Sequence, residues 1–151
     1  MAQLLTYSFL DVHASIVGPG GSFNIGAGAA NAEEGIDVEP VEDIDILTIG
    51  ADGSAMHTLR ANKAGKITVR LLKTSPVNQQ LSDMMAFQRT TSANHGQNNI
   101  TITNAVTGDV ITCQQVAFAK PPALKYATAG GINEWEFNAG IVDPALGAGV
   151  N

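Results

Sequence analysis

Polar and apolar residues alternate most cleanly near the C-terminal end, where Trp135, Phe137, Ala139 and Ile141 interleave with Glu134, Glu136 and Asn138. That two-residue period predicts a strand with one face in a core and the other in water. The same period places Ile67, Val69 and Leu71 on one face of a strand at 67–72, with Thr68 and Arg70 on the other. Strands are also predicted at 7–17, closed by the breaker Gly18-Pro19-Gly20-Gly21, and at 43–49 and 55–60 around the tight turn Gly50-Ala51-Asp52-Gly53. With 67–72 these last two should form a three-stranded meander. Strands at 99–105 and 110–120 flank Thr107-Gly108-Asp109 as a further hairpin, which Pro121-Pro122 ends.

A helical period occurs once. Val77, Leu81, Met84, Met85 and Gln88 recur at helix spacing behind Ser75, a capping residue, and Pro76, which suits a first helical turn. A helix over 76–90 follows, ended near Gly96. The fold class is therefore mainly β with one flanking α-helix, in an antiparallel sandwich or barrel. A chain of 151 residues fits a single domain, 1–151, that can bury a core without staples.

Two segments escape these patterns. Residues 18–42 form a long inter-strand arm with short strands at most at 23–26 and 36–39, and 27–35 has almost nothing to bury. The C-terminal stretch 143–151 has the same Gly- and Ala-rich character and is read as a second arm. Arms of this kind suit exchange between subunits, and Gly28, Ala29, Ala30, Asn31, Glu33 and Glu34 are the inter-subunit candidates. A mobile surface loop is the plainer alternative.

Charge is distributed in blocks. Before Arg60 there are nine carboxylates and no cation; 60–125 holds all eight cations and two carboxylates; the remainder adds three carboxylates, giving −9, +6 and −3 and a net charge of −6. Blocks of opposite sign can provide the complementary faces of a head-to-tail assembly, unless the fold interleaves them into an evenly mixed surface. An acidic chain is a poor grip for nucleic-acid phosphates or anionic lipid, and no run reaches the roughly 18 apolar residues of a membrane span. The first ten residues lack a basic n-region and a cleavage site, and are read as mature protein.

Catalytic chemistry finds no support. His13, His57 and His95 stand apart in sequence, so no catalytic, cofactor-binding or metal residue is assigned. Cys113 lies mid-strand without a basic neighbour to activate it and reads as a packing residue. Gly26-Ala27-Gly28-Ala29-Ala30-Asn31 breaks the dinucleotide fingerprint at its last position, the acids of 39–45 lack calcium-loop spacing, and no serine has a nucleophile-elbow setting.

The runs Tyr7-Ser8-Phe9-Leu10-Asp11-Val12, Gly18-Pro19-Gly20-Gly21-Ser22-Phe23, Ala27-Gly28-Ala29-Ala30-Asn31-Ala32-Glu33-Glu34-Gly35-Ile36, Gly50-Ala51-Asp52-Gly53 with Met56-His57, and Val69-Arg70-Leu71-Leu72-Lys73-Thr74-Ser75-Pro76-Val77-Asn78 resemble the bacteriophage tail tube proteins, a family of virion structural proteins. The resemblance covers nearly the whole chain. It implies a small β-barrel or sandwich of the tail tube type without cofactors, in hexameric rings that stack into a hollow tube conducting DNA during ejection. Its implied partners are further copies, tail sheath, tape measure, baseplate and tail terminator proteins. Double-stranded DNA should pass through without sticking, with no membrane binding. The implied location is the virion tail, after synthesis in the host bacterial cytoplasm. A lumen that lets DNA pass needs few free cations, which makes the wet-face residues Thr101, Thr103, Thr112, Gln114, Glu134 and Glu136 the lumen-lining candidates. Rival readings are a type VI secretion tube protein, a monomeric ligand-binding β-barrel and a metal-dependent hydrolase built on His13 and His57.

Overall fold

The computed structural model describes residues 6–147, the side chain of Glu34 excepted. Among these, the elements run β1 (Val12–Gly18), β2 (Gly21–Asn24), β3 (Asn31–Pro40), β4 (Asp45–Ile49), β5 (Ala55–Leu59), β6 (Gly65–Leu72), α1 (Val77–Gln88), β7 (Asn98–Asn104), β8 (Asp109–Lys120) and β9 (Ile132–Ala145). Seven strands make one antiparallel sheet in the order β2-β1-β7-β8-β9-β6-β3, curled into a half-barrel, and β4 and β5 form a separate hairpin. The expected class, mainly β with one helix, is the one observed.

The core fills the concave side. Ile16, Ile100, Cys113, Val116, Phe137, Ile67, Val69 and Leu71 are fully buried on that face of the sheet, as alternation along β6 and β9 requires. α1 closes part of the concavity by inserting Val77, Leu81 and Met84. Its start follows the expected chemistry: the Ser75 hydroxyl accepts from the Val77 amide at 3.3 Å and donates to the Ala29 carbonyl at 2.5 Å. Trp135 donates its indole N–H to Asn78 on the helix at 3.0 Å and meets Phe118 edge-on, at 6.1 Å between centroids. At the other end of the helix, Gln88 and Asn98 exchange both amide hydrogen bonds, at 2.6 and 2.9 Å, and Gln88 also donates to the Pro19 carbonyl at 2.9 Å. That pair ties α1, β7 and the β1–β2 turn together out of water. The turn itself needs Gly20, whose φ of 102° is left-handed and whose missing Cβ would sit 3.2 Å from the Phe87 ring.

Four expectations change. Residues 9–11 form a short 3-10 turn capped by Ser8 instead of the first half of a strand, because the Ser8 hydroxyl accepts from the Leu10 amide and curls the chain. The hairpin β4–β5 does not continue into β6 as a meander: both edges of β6 are taken by β3 and β9. The segment 18–42 contains two sheet strands, and 27–35 does bury side chains: Ala29 and Ala32 are in the core, and Asn31 donates to the Ile25 carbonyl at 2.9 Å. Leu72 and Ser75 supply donors to the carbonyls of Ala30 and Ala29, so this stretch is stitched to its own subunit. Finally, β9 runs on to Ala145 and pairs with β8 through Val110, Ile111 and Thr112, which draws the first part of the expected C-terminal arm into the sheet; its last residues, 148–151, lie outside the described ones.

Candidate assembly surfaces

Every residue of β4 and β5 is exposed. Their register pairs Asp45 with Leu59, Leu47 with His57 and Ile49 with Ala55 on one face, and Ile46 with Thr58 and Thr48 with Met56 on the other. Large apolar side chains therefore stand on both faces, with Leu47 at 55%, Ile49 at 58% and Leu59 at 83% exposure on one, and Ile46 at 45% and Met56 at 58% on the other. The local structure is well determined all the same. Asp52 accepts from the Ser54 amide at 3.0 Å inside the turn, which holds its carboxyl below the usual carboxylate range, and Gly53 takes a φ of 88°. Glu42 accepts from Arg60 and from Asn62 at the base, and His57 meets Asp45 at 2.9 Å. A lone two-stranded ribbon is at best marginally stable in water, and exposed apolar groups on both sides mark an element made to be covered. The hairpin was legible in the sequence; that it would stand free was not, although Ile44, Ile46, Leu47 and Ile49 already lacked the alternation of a one-sided strand.

The convex face of the seven-stranded sheet is mainly polar, with Val17, Val110, Leu72, Ile132 and Ile141 as apolar exceptions. Strand pairing sets Ser15 beside Thr101, Thr101 beside Thr112, Thr112 beside Asp143 and Gln114 beside Ile141. Further along, Lys120 lies beside Glu136, Glu136 beside Thr68 and Glu134 beside Arg70. Thr101, Thr103, Thr112, Gln114, Glu134 and Glu136 thus share one face. Continuity survives a crease in which β8 and β9 both carry an extra residue at the same level. On β8, Cys113 and Val116 are both buried with Gln114 and Gln115 exposed between them; on β9, Ala139 and Val142 both pack on the core side around Gly140. Gln115 takes a φ of 55° there, and a Cβ on Gly140 would come 2.6 Å from its amide oxygen.

Charge on this face is confined to β9, β6, β3 and the end of β8, and its cations are paired. Arg70 donates to Asp37 at 2.7 Å and Glu134 at 3.2 Å, and the hydrogen bond to Asp37, against some cost of burial, pushes its guanidinium up. Glu136, whose side chain is 12% exposed, lies 3.2 Å from Lys66 and 3.4 Å from Lys120. Burial alone would raise this carboxyl, but hydrogen bonds from the two lysines outweigh it and hold the group below its usual range. The half formed by β2, β1, β7 and the start of β8 offers mainly hydroxyls and amides.

The arm candidates divide. Gly28, Ala30 and Glu33 are exposed, Ala29 is buried and Asn31 half-buried, and the Glu34 side chain lies outside the described set. His13 is on β1, His57 on the hairpin and His95 in the loop after α1, and no cluster of His, Cys, Asp or Glu able to hold a metal occurs among the described residues. Burial pushes the Cys113 thiol up to about 11, which leaves it protonated and unreactive. No helix among the described residues is long and apolar enough to cross a membrane.

Against known proteins, residues 4–147 match the family model described as bacteriophage PhiTE tail tube protein. The chain belongs to that family. It is a tail tube protein, a structural component of the virion tail and not an enzyme. Among solved structures, the tail tube protein resembles the sheath/tube terminator of an extracellular contractile injection system, PVC, in its extended state, with 14% identity, TM-score 0.61, and coverage of 95% of this chain and 99% of that one. It is also similar to a chain of the PVC sheath-tube complex in the extended state, with 13% identity, TM-score 0.58, and coverage of 93% and 92%. A third likeness is to the anti-feeding prophage cap (the AFP tube-terminating cap), with 9% identity, TM-score 0.57, and coverage of 97% and 95%. At such identities these likenesses show a shared fold. No curated relative matches the sequence significantly.

Proposed function

We propose that copies of this tail tube protein close into hexameric rings which stack into a hollow conduit, and that DNA passes through it into the host. The observation that carries the reading is the β4–β5 hairpin, exposed on both faces and apolar on both. A second copy is its natural cover. The two open sheet edges, β2 and β3, supply the lateral contact: an unpaired edge strand is a template for another strand, and ring closure leaves none unpaired. Glu33 lies on β3 and Gly28 and Ala30 shortly precede it in the chain, and these exposed residues are assigned to that contact.

The polar convex face is assigned to the lumen. A phosphate backbone gains free energy wherever it can displace counterions with lysine or arginine. On this face Lys66, Arg70 and Lys120 are each held by carboxylates, and Thr101, Thr103, Thr112 and Gln114 carry no charge. Passing DNA would find no free cation there to hold it. The same reading makes sheath, tape measure, baseplate and tail terminator proteins the partners, and the host cytoplasm the place of synthesis.

Electron microscopy of the purified chain over a concentration series tests this. Rings or hollow tubes are expected, with light scattering rising above a threshold concentration. A chain that stays monomeric at every concentration overturns the proposal.

A further inference from the structure

The end of the sheet farthest from the base of the free hairpin also lacks a cover. β6 spans about 25 Å at roughly 3.3 Å per residue. At its first residue, Gly65 pairs with Pro40, from which the chain leaves for β4; at its last, Leu72 pairs with Ile132. Beside that far end, residues 121–131 run from β8 to β9 without strand or helix and expose Leu124 and Tyr126. At 84%, Tyr126 is more exposed than any other large apolar side chain described. Lys73 fastens the loop: its ammonium donates to the Lys125 carbonyl and stands 4.1 Å from the centre of the Tyr126 ring, and its amide donates to the Gly131 carbonyl at 3.3 Å. Both contacts of the ammonium are with neutral groups, so its charge is not cancelled. Neither Lys73 nor Lys125 has a carboxylate partner among the described residues. Segments 71–82 and 121–133 hold these two cations and no carboxylate, and Glu134, next along β9, is held by Arg70.

The hairpin is the complement of this end. Residues 41–59 contain Glu42, Asp43, Asp45 and Asp52 and no lysine or arginine. Glu42 is taken by Arg60 and Asp45 meets His57, but Asp43 and Asp52 meet no cation among the described residues. We infer that the hairpin of one copy docks on the 121–131 end of the next, its apolar side chains against Leu124 and Tyr126 and its free carboxylates towards Lys73 and Lys125. Polarity and sign match together: an acidic apolar ribbon meets a basic apolar surface. Because the two patches belong to opposite ends of β6, copies of one orientation can repeat the contact without limit. The apolar groove beside Val38 and Val142 is a weaker partner, since it adjoins the base of the hairpin itself and mixes Lys63 with Asp143, which selects no sign of charge. The inference rests on the proposed stacking of copies and names the patch that receives the hairpin.

Tubes grown from a mixture of isotope-labelled and unlabelled chains, treated with a zero-length carbodiimide that joins carboxylates to amines, test the contact. Cross-linked peptides of mixed label, joining Asp43 or Asp52 to Lys73 or Lys125, are expected. Lys73→Glu with Lys125→Glu, and separately Asp43→Lys with Asp52→Lys, should each raise the threshold concentration for tubes about tenfold or more at low salt. The chain carrying all four changes should return to within a few-fold of the native threshold, because both partners are then reversed together. A hairpin turn merely broken at Asp52 would not be rescued in this way. Circular dichroism checks that each variant is folded, and where one is not, the cross-links in native tubes decide. Tubes without those cross-links, folded double variants that assemble as the native chain does, or a four-change variant as weak as the doubles overturn the contact while the assembly proposal stands. A native chain that stays monomeric overturns both.

Discussion

Asn98 and Gln88 show how much one buried polar pair can carry. Each amide satisfies the other, so removing Asn98 leaves the Gln88 amide oxygen without a bond in a site closed to water, its N–H keeping only the Pro19 carbonyl. Asn98→Ala should lower unfolding free energy by about 2–3 kcal/mol, the cost of an orphaned buried group plus a small cavity. Urea denaturation measures it. A loss below about 0.5 kcal/mol, the range of ordinary surface changes, would show that the pair is not what ties α1 to β7. The same pairing explains why Gly18 tolerates no side chain: a Cβ would fall 1.8 Å from the Asn98 amide oxygen.

Among the elements, the β4–β5 hairpin separates folding from assembly. Because it shares no strand pairing with the main sheet, Leu47→Asp with Met56→Asp should leave the subunit's stability within about 0.5 kcal/mol and yet prevent growth of tubes. Circular dichroism melts and light scattering read the two effects separately; unfolding of the double variant would make the hairpin part of the fold. Elements whose signal is local were legible in the sequence. The alternation along β6 and β9, the β7–β8 turn and the helix register all depend on neighbours in the chain, and they stand where the pattern put them, within a few residues. Sheet order was not legible, since β3 pairs with β6 and β1 with β7 across long stretches of chain. The burial of Ala29 and Ala32 was equally hidden. A small side chain leaves no periodic mark, and the stretch is tied inward because Leu72 and Ser75 come round to the carbonyls of Ala30 and Ala29. Of the candidate site, the wet faces could be read strand by strand, but that all six polar residues would share a single surface depended on register.

For the whole molecule, the segregation of charge in sequence is largely undone in space: Asp37 from the acidic block and Glu134 from the last block both meet Arg70 of the basic one. The interleaved alternative thus accounts for much of the pattern. What remains is a convex face with no unpaired cation among its described charges, and its property can be reversed. Glu134→Lys with Glu136→Lys adds two cations and frees Lys66, Arg70 and Lys120 from part or all of their pairing. Tubes of this variant should retain double-stranded DNA, with retention falling as salt rises by a slope of about 0.9 per phosphate contacted. Native tubes should retain none. Co-sedimentation of DNA with both kinds of tube compares them, and equal retention would remove the lumen from this face.

The free hairpin also gives the proposed assembly a direction. An element that projects from one side of a subunit and is received by a different patch on the next makes every copy point the same way, so the two ends of the finished filament are chemically unlike. One ends in unclothed ribbons, the other in empty seats, and neither contact contains a signal to stop. The length of such a filament cannot be written in this chain; it has to be imposed by a ruler along the bore and a lid at the growing tip.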